Sequence, residues 1–454
     1  MVFYACDKLT TGALIAERKL SSPLLRSSLV MAAQKMQITK PGGYDVMQMA
    51  PGTCSDAMLD EKNAEYAGDV DRSRTVTVAV HAAGVNYADV CIRWGLYKSA
   101  KDYVGYPITP GFEFAGEVLE SSHSKGPFMP GQRVFGVTLF GAYSTQVTVP
   151  EHQLFAMPHD MTMQEGAAVL ATFFTAYYAF HVLAQPRAGD SVLVHSAAGG
   201  VGSTLLRLAK AADCRAVAVV GGSHKVDSAL AAGADVVLDK SPGEGPGAVA
   251  HVAGCPVVRT GGVATALWGA VDRHAPAAGY KAVFDANGVS TLQGSFSALG
   301  AAGRLVVYGF HSMLPRQGGV LGAWQWLRMA WDYVWTPRFN PLEMTAANKS
   351  VCAFNLSFLF NDTATLQNAM GLFETLWERG VVQQGLTITE FPLQSAAEAH
   401  AAIESGSTTG KLVLVTPLLD SSPPPAAAAA AASSSNGSTT KRARSTGRRS
   451  KGAQ

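Results

Sequence analysis

The sequence predicts an α/β protein with two unlike halves, a mostly-β region followed by a doubly wound parallel sheet. Three observations predict it. Short apolar runs broken by Gly and Pro turns continue to about residue 157. From 165 onward apolar strands alternate with helical stretches, the rhythm of βαβ units. Between one such strand and the next helix lies a glycine-rich turn, HSAAGGVGSTLLRLAK (195–210). A chain of 454 residues, 48% hydrophobic, has enough apolar material for two domains.

Met36 begins the globular pattern. MQITKPGGYDVMQM reads as strand, turn, strand, and 60–74 as a polar loop. TVTVAVHAAGV (75–85), FEFAGEVLE and QRVFGVT are further strands of the first half. The uncharged stretch from Gly166 to Pro186 borders on a transmembrane length. Its polar groups and the lack of flanking bases favour a buried helix leading into the second half. There the predicted strands are VLVHSA (192–197), AVAVV (216–220), DVVL (235–238), AVFDA (282–286) and RLVVYGF (304–310), with SVCAFNLSFLF (350–360) as the last. Pro and Gly punctuate 241–263, which reads as an inserted surface loop. A helix follows, and KLVLVTP (411–417) closes the fold as a strand.

The ends are of different composition. Residues 1–30 carry four bases against two acids and cluster serines, which suits either an organelle transit peptide or an untargeted tail. The tail 418–454 is Pro/Ala/Ser-rich and basic, net +5, and is expected to be disordered; KRARSTGRRSK suits a nuclear address, an anionic surface or plain solvation. The remaining 417 residues are net −3, which gives no support to nucleic-acid binding by the folded body. Six scattered cysteines without a C-x-x-C pair suggest neither a disulfide framework nor structural zinc, and point to a reducing compartment.

The glycine turn carries most of the functional information. Gly199 leaves room for a pyrophosphate, Gly202 lets the helix pack on the strand, and the amides of Ala198, Gly199, Gly200, Val201 and Gly202 face the phosphates. The second strand ends in Val220-Gly221-Gly222-Ser223-His224-Lys225, with no acid before Asp227. An acid there would take ribose hydroxyls, whereas Ser223 and Lys225 suit a 2′-phosphate, so NADPH is expected over NADH.

GVNYADVCIRWGLY (84–97), YPITPGFEFAGEV (106–118), AAGGVG, GRLVVYGF and TGKLVLV occur in the order found in the medium-chain dehydrogenase/reductase superfamily. The chain resembles its zinc-free quinone oxidoreductases over 36–417. WQWLRMAWDYVW (324–335) followed by NKSVCAFNL is similar to the branch of synaptic vesicle membrane (vesicle amine transport) proteins. The resemblance implies a GroES-like catalytic domain (31–164 and 361–417) and a Rossmann cofactor domain (165–360). The positions matching the zinc ligands of metal-dependent relatives hold Asn86, Phe112 and about Ala171, so no metal is expected. What remains is hydride transfer from NADPH to a small lipophilic quinone or α,β-unsaturated carbonyl. Asn86 and Tyr97 are the candidate catalytic donors to the substrate oxygen. Thr175, Gly309 and Phe310 are expected beside the nicotinamide, and Lys411 at the cofactor. Other readings are an enoyl-thioester reductase and a nucleotide-binding protein acting at membranes. The tryptophans at 324–335 suit core or dimer packing, a substrate lid or peripheral membrane contact. A homodimer is implied, in the cytoplasm or, with a transit peptide, in a chloroplast or mitochondrion.

Overall fold

The computed structural model describes residues 33–68, 70–242, 247–314 and 322–417. The expectations for the N-terminal extension and the basic tail fall outside them. The antiparallel pair Gln34–Ile38 and Met47–Pro51 opens the fold, as the Pro-Gly-Gly turn predicts. The strand Thr75–Val85 then pairs with Glu113–Ser121, Gln146–Pro150 and Lys411–Val415, and so organises the first sheet. Its outer half alternates half-buried and buried residues, and from Ala82 onward it is wholly enclosed. The period of two and the later all-apolar run, both visible in the sequence, correspond to one covered face and then two. The polar stretch 60–74 is not all loop. It contains a 3-10 turn, Glu61–Asn63, and the short helix Ala64–Ala67.

Six strands form the doubly wound parallel part of the second sheet: Ser191–Val194, Arg215–Val220, Val236–Asp239, Tyr280–Asp285, Leu299–Val307 and Ser350–Ala353. In chain order they lie 3-2-1-4-5-6, which places the strand before the glycine turn at the point where the winding reverses. Crevices at that point are where doubly wound sheets bind ligands. Ser191–Val194 is buried at every residue, as a central parallel strand requires.

Within the expected loop at 241–263, residues 249–259 are in fact structured. Val249–Val252 and Cys255–Arg259 form a hairpin whose second strand pairs in parallel with Val236–Asp239 and buries Val257 and Val258. Ala253 (φ 50°) and Gly254 (φ 82°) make the two-residue turn, in which both residues need positive φ. Pro256 lies on the inner strand of the hairpin, just before Val257, where the pairing with Val236–Asp239 begins, so its missing N–H falls outside that register.

The apolar helix Met163–Tyr177, extended by a π-helical segment to Ala184, is long enough to cross a membrane, yet 67% of its most apolar window is buried. It packs between the first sheet and the helix Gly200–Ala211 that follows the glycine turn. The helix Ala323–Val334 behaves differently. Gln325, Met329 and Asp332 are half-buried while Trp324, Leu327 and Trp331 are 78%, 63% and 64% exposed. The expectation of core packing therefore fails for this helix, which turns its polar side toward the body.

Behind the first sheet, the buried guanidinium of Arg93 pairs with the buried carboxylate of Glu404, to which Tyr44 also donates (2.8 Å). Removing one member leaves a buried charge without its counter-ion. Arg93→Ala is therefore expected to lower unfolding stability by roughly 3–5 kcal/mol, read from urea denaturation, and Arg93→Ala/Glu404→Leu to recover part of it.

Candidate active site

Asn86 ends the strand Thr75–Val85 and starts the helix Tyr87–Arg93; its backbone N–H donates to Asp89 (2.8 Å). Asp89 is buried and also accepts from Gly111 N–H (2.8 Å) and the Tyr143 hydroxyl (3.2 Å). Burial pushes its carboxyl up to about 7 against those donors. The Asn86 side chain donates through Nδ2 to Glu113 Oε1 (3.0 Å) and accepts at Oδ1 from Lys411 Nζ (2.5 Å). Lys411 Nζ also lies 2.6 Å from Glu113 Oε1, and both side chains are almost completely buried. Glu113 Oε2 takes the backbone N–H of Ala171 (2.8 Å). The three metal-ligand positions thus gather around a carboxylate–ammonium pair: Asn86 and Ala171 donate to Glu113, and Phe112 precedes it. Among the described residues no group of three or more His, Cys, Asp or Glu converges to hold a metal.

Next to this pair is the glycine turn. Gly199 and Gly410 form an isolated parallel bridge, with Gly410 N–H donating to Ala198 O (3.0 Å), so the residue before Lys411 is tied to the turn itself. Gly199 (φ −80°) precedes the first helical residue of Gly200–Ala211. A Cβ on Gly202 would lie 2.4 Å from Ser196 O, and one on Gly200 2.8 Å from Thr172 Cγ2. Gly199 is less crowded, with only Ser196 O at 3.3 Å. The close packing expected of Gly202 is present, and Gly199, Gly200 and Val201, at the start of a twelve-residue helix, are only half-buried. Amides in that position fit a phosphate.

Around the neighbouring strand ends, Gly309 packs so that a Cβ would lie 2.9 Å from Ala286 O, and Phe310 covers Gly288 while remaining 46% exposed. Ser196, at φ 53°, donates to Asn287 Oδ1 (2.8 Å). Asn287 Nδ2 is buried without a protein partner, a donor left for something bound. Thr175 donates to Ala171 O (2.6 Å), one turn beyond the Glu113 contact. Tyr97 is separate from the Asn86 cluster. Its hydroxyl donates to Asn355 Oδ1 (3.0 Å) and shares a bond with Ser357 Oγ (2.7 Å), and its ring packs on Phe112 and Phe140. Burial raises its pKa, so the phenol keeps its proton at neutral pH.

The adenosine end differs from expectation. Although no acid follows Val220 in sequence, Asp239 lies beside Val220 in the sheet register. Its carboxylate accepts from the Ser223 hydroxyl (2.6 Å) and from Ser241 Oγ (2.8 Å), while Lys225 Nζ donates to Gly406 O (2.6 Å). Ser223 and Lys225 therefore have protein partners that an incoming phosphate would have to replace.

Sequence reasoning missed Glu113 and Asn287. An acid inside the apolar run PGFEFAGEV was the available signal for Glu113, because a buried carboxylate needs a partner.

Two family descriptions match the chain: alcohol dehydrogenase GroES-like domain over residues 72–159 and zinc-binding dehydrogenase over 259–414. The chain is 28% identical to the synaptic vesicle membrane protein VAT-1 homolog of Mus musculus, covering 75% of this chain and 76% of that protein. It is 26% identical to the quinone oxidoreductase of the same species over 76% of this chain and 90% of the relative. Among solved structures, the Escherichia coli quinone oxidoreductase complexed with NADPH superposes with a TM-score of 0.64 at 22% identity, covering 84% of this chain and 99% of the other.

Gly202→Ala is expected to displace the turn and weaken binding of a reduced nicotinamide nucleotide at least ~10-fold in a fluorescence titration. Gly371→Ala, where a Cβ meets nothing within 4 Å, is expected to leave that affinity unchanged.

Proposed function

The chain belongs to the medium-chain dehydrogenase/reductase superfamily of oxidoreductases, and from that premise we propose that it is a zinc-independent, NADPH-dependent reductase of quinones or α,β-unsaturated carbonyls. The observation that carries this reading is the bridge between Gly199 and Gly410, which brings the open amides of the glycine turn beside the Asn86–Glu113–Lys411 cluster. A reduced nicotinamide, when bound, supplies the hydride. Together with one proton, the hydride converts a quinone to the hydroquinone or an enone to the saturated ketone. Negative charge grows on the acceptor oxygen as hydride arrives, and fixed donors in a water-poor cleft stabilise it. Asn86 has a second amide N–H that no protein group takes among the described residues. Tyr97 has a hydroxyl proton, which it can give to the acceptor after exchanging its Asn355 contact and recover from Ser357.

Zinc independence is supported by residue type. Asn, Phe and Ala stand at the positions matched to metal ligands, and an ammonium occupies the space beside them. The preference for NADPH rests on Lys225 and on the lack of an acid directly after Val220; the Asp239 carboxylate opposes it. Lys225→Ala is expected to weaken NADPH binding about tenfold and leave NADH binding unchanged. Equal losses for both nucleotides would remove the 2′-phosphate assignment. The activity itself is tested by NADPH oxidation with a panel of quinones, enals and an enoyl thioester. Reduction of the thioester alone would move the substrate class to the acyl carriers.

The outward-facing tryptophans favour a second reading, a nucleotide-binding protein that works at a membrane surface. Trp side chains are suited to a bilayer interface. On this reading the protein floats with anionic liposomes, and Trp331→Ala reduces the floated fraction; no flotation of the unsubstituted protein excludes it.

A further inference from the structure

We propose that Glu113 is a positioning residue for hydride transfer, one that fixes Asn86 and neutralises Lys411 without touching cofactor or acceptor; the proposal rests on the reductase reading above. Glu113, Asn86 and Lys411 form a closed ring. Asn86 Nδ2 donates to the carboxylate, Lys411 Nζ donates to Asn86 Oδ1, and Lys411 is ion-paired to the same Glu113 oxygen. An amide held at both ends has only one workable orientation here. Turning it over would set its oxygen against the carboxylate and its NH₂ against the ammonium. The orientation that survives commits one N–H to Glu113 and leaves the other for the oxygen that gains charge. That distinction is the difference between a donor and an acceptor at the reacting atoms.

The surroundings are built to admit the carboxylate. Gly84, two residues before Asn86, is the point where a Cβ would lie 2.6 Å from Glu113 Cγ and Oε1 and 2.2 Å from Ala167 O. Any larger residue would push the strand away from Glu113 and from the apolar helix together. The Ala171 N–H fastens the second carboxylate oxygen to that helix. Thr172, the next residue, packs against Gly200, which is part of the glycine turn. Glu113 thus links the orientation of the donor amide to the place where the dinucleotide is held. A role limited to offsetting the Lys411 charge would not require the contacts to Asn86 and Ala171.

The test uses the full chain with NADPH and a quinone that the unsubstituted protein reduces. Glu113→Gln places an NH₂ group where one of three donors needs an acceptor. NADPH affinity is expected to stay within about threefold of the unsubstituted protein, because the phosphate-binding turn is intact. The emission of bound NADPH is expected to change, kcat to fall at least ~10-fold, and the primary isotope effect with deuterated NADPH to rise. Glu113→Asp, too short to reach all three donors, should lie between. Glu113→Gln/Lys411→Met removes the ring without leaving a buried unpaired charge, so it keeps the test open if the single variant fails to fold. Its kcat at saturating NADPH should be as low as that of Glu113→Gln.

Unchanged kcat and unchanged bound-NADPH emission in either variant would overturn the proposal. So would a loss of affinity and melting temperature with kcat at saturation intact. If the unsubstituted protein itself does not bind NADPH, the reductase reading fails and the positioning role fails with it, a result visible before any variant is made.

Discussion

A carboxylate enclosed in a protein interior must be met by donors from whatever chain surrounds it, and at Glu113 those donors come from three distant segments. Asn86 lies on the first long strand, Ala171 in the apolar helix, and Lys411 on the closing strand. Leaving Lys411 out would strand a charge away from water, at a cost far above that of an ordinary contact. The return of the chain to the first sheet after the cofactor-binding half is therefore more than a topological convenience. The strand Lys411–Val415 lies antiparallel to Thr75–Val85, with Leu412 opposite Val85, and so carries the ammonium to the carboxylate.

The same return joins the two halves of the molecule. Main-chain bonding between Gly410 and the Ala198–Gly199 segment extends the first sheet to the edge of the glycine turn. Because the turn follows the central strand at the winding reversal, its helix amides face a crevice and not a packed layer. Asp285 keeps the opposite wall in place. It accepts from Asn287 N–H, Gly288 N–H and the Thr291 hydroxyl, and so shapes the loop that carries the unsatisfied Asn287 amide. The first helical turn, a fixed side-chain donor and a shaped loop come together because three strands end and the closing strand begins there.

Much of this was legible in the sequence. Alternation over Thr75–Val85, the buried run before the glycine turn and the spacing of the parallel strands all correspond to the observed elements, since local pattern and tertiary burial agree there. The failures have physical causes. The hairpin Val249–Arg259 carries a proline and an exposed first strand, so neither of its strands shows a clean period, and its pairing comes from an available sheet edge. The tryptophan helix was judged by composition, whereas its helical spacing puts Gln325 and Asp332 on the body side. The hold of Asp239 on Ser223 was not readable because it acts across the sheet, next to Val220, although nineteen positions later in the chain. Asn86 was singled out as a lone donor, while its partners Glu113 and Lys411 lie 27 and 325 residues away and no local pattern announces them.

The Ala253–Gly254 hairpin shows how a chain of this architecture can lengthen without disturbing its chemistry. A parallel sheet accepts another strand at its rim through main-chain bonds, which ask little of side-chain identity. The newcomer here joins at the edge opposite Ser350–Ala353, with two strands, Val236–Asp239 and Arg215–Val220, between it and the central one. Such a rim is a natural place for lineages to diverge: segments can be gained, lost or exchanged there while the catalytic geometry is inherited unaltered.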